Sequence, residues 1–261
     1  MKQEIQELYS YRDLLFAMVS RDIKIRYKQS AMGFLWAILM PTLIVGAGII
    51  VRYGFAITSG KHLDSSDIAA VAVKSLPWAF LVSSIRFSCM SLTNNTTLVT
   101  KIYFPKEIFP LSAVMACFFD FVVAAGALVI LLFFLKTGWS LYLFYVPILI
   151  IAMALLAAGI SMIVSAGSLF FRDVKYIVEA VLTFAIFFTP VFYDVRMFGD
   201  KGKWLLLNPA APILESFSDC IARQQSPDLL WLAYSLVFAL VTFVAGYAFF
   251  KHLEPAFAES V

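Results

Sequence analysis

The chain is 261 residues long, 62% of them hydrophobic and only 14% charged, with a formal net charge of +3. A soluble domain carries about a quarter of its residues as charges. This composition, with a mean hydropathy of +0.87, therefore excludes an ordinary water-dispersed enzyme and predicts an all-α polytopic membrane protein. The slight positive excess suits loops beside an anionic leaflet and asks for no nucleic-acid partner.

Residues 3–20 place Ile5, Leu8, Tyr11, Leu15, Phe16 and Val19 at helical spacing on one face, with Gln6, Glu7, Ser10 and Asp13 on the other. That pattern predicts an amphipathic helix lying in the cytoplasmic interface. The next stretch, Arg21 to Ser30, alternates charged and apolar residues. Its Arg21, Lys24, Arg26 and Lys28 can meet lipid phosphates or the acidic face of a partner. Six apolar runs follow, at 31–57, 71–93, 108–135, 141–170, 176–193 and 229–250. Each is long enough to cross a hydrocarbon core of about 30 Å as a helix. Helix is required because an unpaired backbone amide in lipid costs several kcal/mol. Lys74, Pro77 and Arg86 interrupt the second run, and Thr189-Pro190 closes the short fifth one. The first run starts too late and is too long for the apolar part of a signal peptide, so none is expected.

Loop lysines and arginines set the orientation. The side that holds the N-terminus carries 11 of them against 8 on the other, and the cluster ahead of the first run dominates. Both termini are therefore expected in the cytoplasm, and the protein in a bacterial inner membrane. The domain plan that follows is an interface segment at 1–30, a six-span unit at 31–250 and a tail at 251–261.

Two loops have more texture than connections need. Between the second and third runs, Thr93 to Thr97 offers Asn and Thr side chains that can cap a short helix, and Pro105 keeps that helix short. Such a helix can carry a push from a partner. Between the fifth and sixth runs, Met197-Phe198, Trp204 to Leu207 and Ile213-Leu214 are apolar pieces too short to cross. Pro209, Pro212 and several glycines punctuate them. Pieces of this kind fit re-entrant helices, which need protein or a cavity around them.

The search for chemistry is mostly negative. No G-x-x-x-x-G-K-[ST] phosphate loop is present, so any ATP would be hydrolysed on another polypeptide. His62 and His252 stand apart from other ligands. Cys89, Cys117 and Cys220 are odd in number and lack metal spacing, so no cofactor is expected on this chain. Arg52, Arg86, Asp120 and Glu179 fall at membrane depth, where a lipid-facing charge costs about 2.5–3.5 kcal/mol, so each should face protein or water, unless Arg52 and Glu179, near span ends, reach the interface instead. Arg86 and Asp120 serve either a polar path or a helix–helix ion pair. Phe184, Phe187 and Phe188 stand at i, i+3 and i+4, with Tyr193 five residues further on, and their rings either pack within the bundle or stack on the C–H faces of sugars.

The segment Ser20 to Ser30, followed by Gly33-Phe34-Leu35-Trp36-Ala37 and Pro41, resembles the approach to the first span of ABC-2 type permeases. It is most similar to the exporters of O-antigen, capsular polysaccharide and teichoic acid. Phe170-Phe171-Arg172-Asp173-Val174, Thr189-Pro190-Val191-Phe192-Tyr193 and Leu207-Asn208-Pro209 follow in the same family's order. The resemblance implies a homodimer paired with two copies of a separate nucleotide-binding subunit, which would hold the ATP and Mg. It implies a path for a lipid-linked polysaccharide, with O-antigen ahead of capsule and teichoic acid. Leu8, Leu15, Asn94, Thr97, Leu98 and Lys101 would then touch the ATPase. The four cations Arg21, Lys24, Arg26 and Lys28 would receive the substrate's pyrophosphate. Arg86, Asp120, Phe184, Phe187, Phe188 and Tyr193 would line the path. An exporter of small hydrophobic compounds shares the fold, and a membrane-embedded glycan-lipid enzyme is the rival from another class.

Overall fold

A capping box starts the most buried of the helices long enough to cross a bilayer. In the computed structural model, which describes residues 9–28, 33, 35–59 and 64–257, the Asp64 carboxylate accepts from the Ser65 amide at 2.8 Å and Asp67 reaches back to the Asp64 amide. Satisfying these free amides starts the helix six residues ahead of the predicted apolar run. The regular elements among the described residues are all helices, the α-helices being α1 (Arg12–Tyr27), α2 (Leu35–Ser59), α3 (Ser65–Cys89), α4 (Thr96–Lys101), α5 (Ile108–Phe134), α6 (Val146–Phe170), α7 (Val174–Ala185), α8 (Ala210–Phe217) and α9 (Leu229–Leu253). Tight three-residue-per-turn segments cover Leu141–Tyr145 and Val195–Leu207, and a π-helical turn covers Ser218–Ala222.

Among the described residues five helices are long and apolar enough to cross a bilayer, spanning Leu35–Gly54, Ser65–Cys89, Ile108–Phe134, Leu141–Phe170 and Leu229–Ala256. The predicted run 176–193 is not one continuous helix. Its α7 has 12 residues, about 18 Å at 1.5 Å per residue. Beyond it the amides of Phe187 and Phe188 bond three residues back, to Phe184 and Ala185. That tightening leads into Pro190, which has no amide to continue a helix.

The buried α3 stands at the centre, packed on α2, α5, α6, α7 and α8. Pro77 and Lys74 lie within it without breaking it. On its far side α6 and α9 pair closely because Gly159 and Gly246 face each other. A Cβ on Gly246 would stand 2.4 Å from the Gly159 carbonyl oxygen, and one on Gly159 would stand 2.6 Å from that of Thr242. Small residues permit this approach where lipid supplies no hydrophobic drive between helices. Buried hydroxyls add ties, Ser91 to Ser165 at 2.9 Å and Ser168 to the Cys89 carbonyl. A larger apolar core, with Leu149, Leu156, Ile213 and Phe217, fills the middle and far end. A smaller one, with Met18, Leu92, Phe109, Met162 and Phe250, lies at the end where α1 docks.

The inner face of α1 differs from the predicted one. Met18 is its buried centre, flanked by Tyr11, Leu14 and Leu15, whereas Phe16 is 58% exposed. The C-terminal turns of α1 run along α5, from Asp22 against Ser112 to Arg26 against Asp120. Leu8 and Ile5 lie outside the described residues.

Candidate functional site

Charge is scarce in this bundle, so where it gathers is informative. The densest gathering is at the end remote from α1. Lys74, wholly buried on α3, donates to the Tyr193 carbonyl at 2.6 Å, to Asp194 at 2.9 Å and to Glu215 at 3.3 Å. Arg52 on α2 bonds both Asp67 and Asp194. Arg223 reaches Asp194 and, at 2.9 Å, Asp219, which also accepts from Arg196 and from Gln225 at 2.6 Å. Four cations and four carboxylates thus compensate one another. Together they fix Val195–Leu207, α8 and the π-helical turn to α2 and α3.

The sequence showed Lys74 as an interruption, Arg52 as a charge at membrane depth and the rest as loop charges, because the bonds of Lys74 and Arg52 to Asp194, and of Lys74 to Glu215, span 120 to 142 residues of chain. One signal was there to use. A lysine inside an otherwise apolar run needs a buried carboxylate, and the long last loop supplies several.

Burial alone would raise the Asp194 pKa. Lys74, Arg223 and Arg52 together outweigh it and hold the carboxyl well below the usual aspartate range. Its folded pKa therefore lies under its unfolded value near 3.9. Its stabilising contribution is complete above that value and is lost as pH falls through the folded pKa. Trp204 in the attached segment is 76% exposed. Its fluorescence should stay constant from pH 7 to about 5 and shift only below about pH 4. A shift already present at pH 6 would contradict this assignment.

Two of the motifs that carry the resemblance meet at the same end. Asn208 Nδ2 donates to Thr189 Oγ1 at 2.9 Å, and its Oδ1 accepts from the Ala210 amide at 3.1 Å. Thr189 donates in turn to the Ala185 carbonyl. The turn after α7 is thus tied to the start of α8. All eight residues of α8 are buried, and Pro190 is buried with them, while Pro209 precedes α8 directly.

A second constellation holds α1. Asp120 on α5 accepts from Arg26 Nη1 at 2.7 Å and from the Tyr27 hydroxyl at 2.5 Å, and the Arg26 guanidinium lies 3.8 Å from the Phe87 ring centroid. Asp120 thus pairs α5 with α1, and both Asp120 and Arg26 also border a cavity. A cavity of about 330 Å³ beside it is lined by Trp36, Met40 and Pro41 of α2, with Phe80, Phe87 and Phe121 opposite. The four cations of the basic stretch are placed differently. Arg21 is held by Asp22 and, at 2.8 Å, by Asn95, and Arg26 is engaged as above, while Lys24 and Lys28 are exposed. Asp120→Asn should loosen α1 by about 1.5–3 kcal/mol, the worth of a hydrogen bond to a charged group. Faster trypsin cleavage after Lys24 and Lys28 is the readout, and an unchanged rate would count against the clasp.

Arg86 finds a different partner. Its Nε and Nη2 donate to the two Glu179 oxygens at 2.7 and 2.9 Å, and both side chains remain nearly half exposed. The pair stands between α3 and α7, beside Lys175 and Tyr176. On α7 and just beyond it, Phe184, Phe187 and Phe188 are 63–69% exposed. Tyr193 turns inward, its hydroxyl donating to the Phe187 carbonyl and its ring meeting Phe198 edge-on. Arg172 and Asp173 are exposed at the head of α7.

At the α1 end, α4 forms where a short helix was predicted, but Asn95 does not cap it. Its amide instead donates to the Ser91 carbonyl while its oxygen receives Arg21. Asn94, Thr97 and Lys101 are exposed, Leu98 and Leu15 pack on the smaller core, and Leu8 is outside the described residues. The sequence reading missed Tyr103, 89% exposed, and Ile102, 52% exposed, which follow α4. Lys251 at the end of α9 joins Glu107 and Glu254, and Glu254 accepts the Lys106 amide at 3.0 Å. The loop is thereby fastened to α9.

The chain is similar to proteins across nearly its whole length. It is 28% identical over 262 residues to the O-antigen export system permease protein RfbA of Myxococcus xanthus, covering 98% of each chain. With a protein of the same name from Klebsiella pneumoniae it shares 27% identity over 249 residues, 95% of this chain and 94% of that one. The model of a family described as ABC-2 type transporter matches residues 13–221, which take in α1, the crossing helices α2, α3, α5 and α6, and the whole charged network up to Asp219. The chain belongs to the ABC-2 type transporter family.

Proposed function

We propose that this chain is the permease subunit of an ATP-driven exporter of lipid-linked polysaccharide, O-antigen first, in a bacterial inner membrane. The observation that carries this reading is the near end-to-end similarity to O-antigen export permeases. It works as a homodimer with two copies of a separate nucleotide-binding subunit, which holds the ATP and Mg, and it binds no cofactor itself. Both termini lie in the cytoplasm. Residues 1–30 form the interface unit, 31–250 the transmembrane unit and 251–261 the tail. The stretch 176–193 makes the sixth crossing, helped by its turns, and Val195–Leu207 with α8 re-enters from the outside as the gate.

Physical features support the dimer and its path. A half-exposed ion pair, Arg86–Glu179, is costly against lipid. Exposed aromatic rings at Phe184, Phe187 and Phe188 do not suit water. A face with both properties fits the edge of a polar path enclosed by a second copy. Sugar rings stack on the aromatics while the ion pair meets hydroxyl groups. Lys24 and Lys28, exposed at the end of α1, receive the pyrophosphate of the lipid carrier, since clustered cations match phosphate charge. The ATPase docks on α4 and the exposed Ile102-Tyr103 that follows it, together with the start of α1.

The permease performs no covalent chemistry in this scheme. ATP binding closes the partner dimer, α4 and α1 move with it, and the two permease copies separate enough to pass the polymer. Deleting the gene tests the reading. Full-length lipid-linked polymer should accumulate on the cytoplasmic face and disappear from the surface. Absence of any polymer would favour an enzymatic role, and unchanged surface glycan would favour export of small hydrophobic compounds.

A further inference from the structure

Helix α2 is attached to the rest of the protein in an uneven way. In its first half, Trp36, Ala37, Met40 and Pro41 stand across the 330 Å³ cavity from α3 and α5. Most of its outer surface is exposed, Met40, Leu43, Ile50 and Ile57 by 56–74%. Ala37 is buried in the first half, and in the second half the helix comes closest at Gly48. A Cβ on Gly48 would lie 2.5 Å from Val71 Cγ1 and 2.7 Å from the Phe192 ring, so glycine is what lets α2 seat there. One turn later comes Arg52, the only charged residue in the Leu35–Ser59 sequence, 4% exposed and bonded to Asp67 of α3 and to Asp194.

The other members of the charged network are joined differently. Lys74 and Arg223 tie α3, Asp194, α8 and the π-helical turn to one another without using α2. Those elements form one electrostatically closed block, and Arg52 is an addition from outside. Two features mark that addition as separable. Asp194 keeps Lys74 and Arg223 when Arg52 leaves, so no buried carboxylate is stranded. Arg52 Nη1 is buried without a hydrogen-bond partner among the described residues, so the seated state leaves one donor of the guanidinium unsatisfied, a standing cost that departure into water removes. Asp67, a third exposed, already places one end of the clamp at the solvent edge.

We infer that α2 is a movable wall of the transport path, and that Arg52, clamped between Asp67 and Asp194, is the latch that holds it against the gate block in the closed state. The inference rests on the export reading for the path itself. The latch predicts that the closed protein is tight because Arg52 is charged, and that transport requires α2 to leave Val71.

Two measurements on the permease reconstituted with its ATPase test this. In vesicles loaded with carboxyfluorescein and free of ATP, Arg52→Gln should leak about tenfold faster than the unmodified protein, the population shift for losing a charge-assisted hydrogen bond of about 1.4 kcal/mol, and Arg52→Lys should restore most of the tightness. In the pair Gly48→Cys with Val71→Cys, made with Phe192→Ala so that the new Cβ at position 48 has room, the two side chains lie within disulfide reach. Oxidation should stop movement of lipid-linked polysaccharide, and reduction should restore it. Equal leak from Arg52→Gln and the unmodified protein, or undiminished transport in the oxidised pair, would overturn the latch. If the leak difference is present but the unmodified protein moves no polysaccharide, the latch stands and the export reading fails.

Discussion

Lys74→Met should be among the most damaging single substitutions in this chain, lowering stability by about 3–5 kcal/mol, the range for breaking a buried ion pair from one side. Lys74 is wholly buried and contacts Asp194, Glu215 and the Tyr193 carbonyl. Methionine fills the space and leaves two acceptor groups short of a donor in a low-dielectric core. Arg52 and Arg223 still reach Asp194, but Glu215 keeps only the Val195 amide at 3.2 Å and the longer approach of Arg223 at 3.6 Å, with no close cation. The comparison is Arg86→Gln, which opens an ion pair that is nearly half exposed and should cost no more than about 1 kcal/mol. Thermal unfolding in detergent measures both. Equal melting points for the two variants would mean that the charged network does not hold the segments around α8 in place.

A second large effect is expected where α6 and α9 cross. In Gly246→Leu the new Cβ would stand 2.4 Å from the Gly159 carbonyl, and backbone cannot move aside as a side chain can. Overpacking a fitted interior costs about 1–3 kcal/mol when side chains adjust, and the rigid neighbour puts this substitution at or beyond the upper end. The helix pair would separate, and with it the fastening of Lys251 to Glu107. Gly126→Ala on α5 is the matched control, because nothing lies within 4 Å of its added Cβ. It should be neutral or slightly stabilising, since alanine is the better helix former. A Gly246→Leu protein that melts with the control would show that the close crossing is not required.

The parts of this protein that follow from local pattern were legible in its sequence. Long apolar runs marked α2, α3, α5, α6 and α9 because a bilayer leaves helix as the only way to satisfy their backbone. Thr189-Pro190 marked the end of the fifth run, and the Asn208–Thr189 hydrogen bond ties that end to the start of α8. What stayed hidden depends on distant partners. Nothing near Lys74 in the chain announces Asp194, 120 residues on, and nothing near Asp120 announces Arg26, 94 residues back. The basic stretch looked like one cluster because spacing does not reveal that Arg26 turns inward to Asp120 while Lys24 and Lys28 face out. Nor does the apolar run at 176–193 show by composition that its helix stops at Ala185.

The permease role is tested most directly by purifying the chain with its nucleotide-binding partner, reconstituting both in vesicles with lipid-linked O-antigen in the membrane, and following the polymer's sidedness. ATP should move the polymer from the ATPase face to the opposite face, where an added glycosidase can cut it. Polymer that stays on the ATPase face while ATP is hydrolysed would contradict the assignment of this chain as its export path.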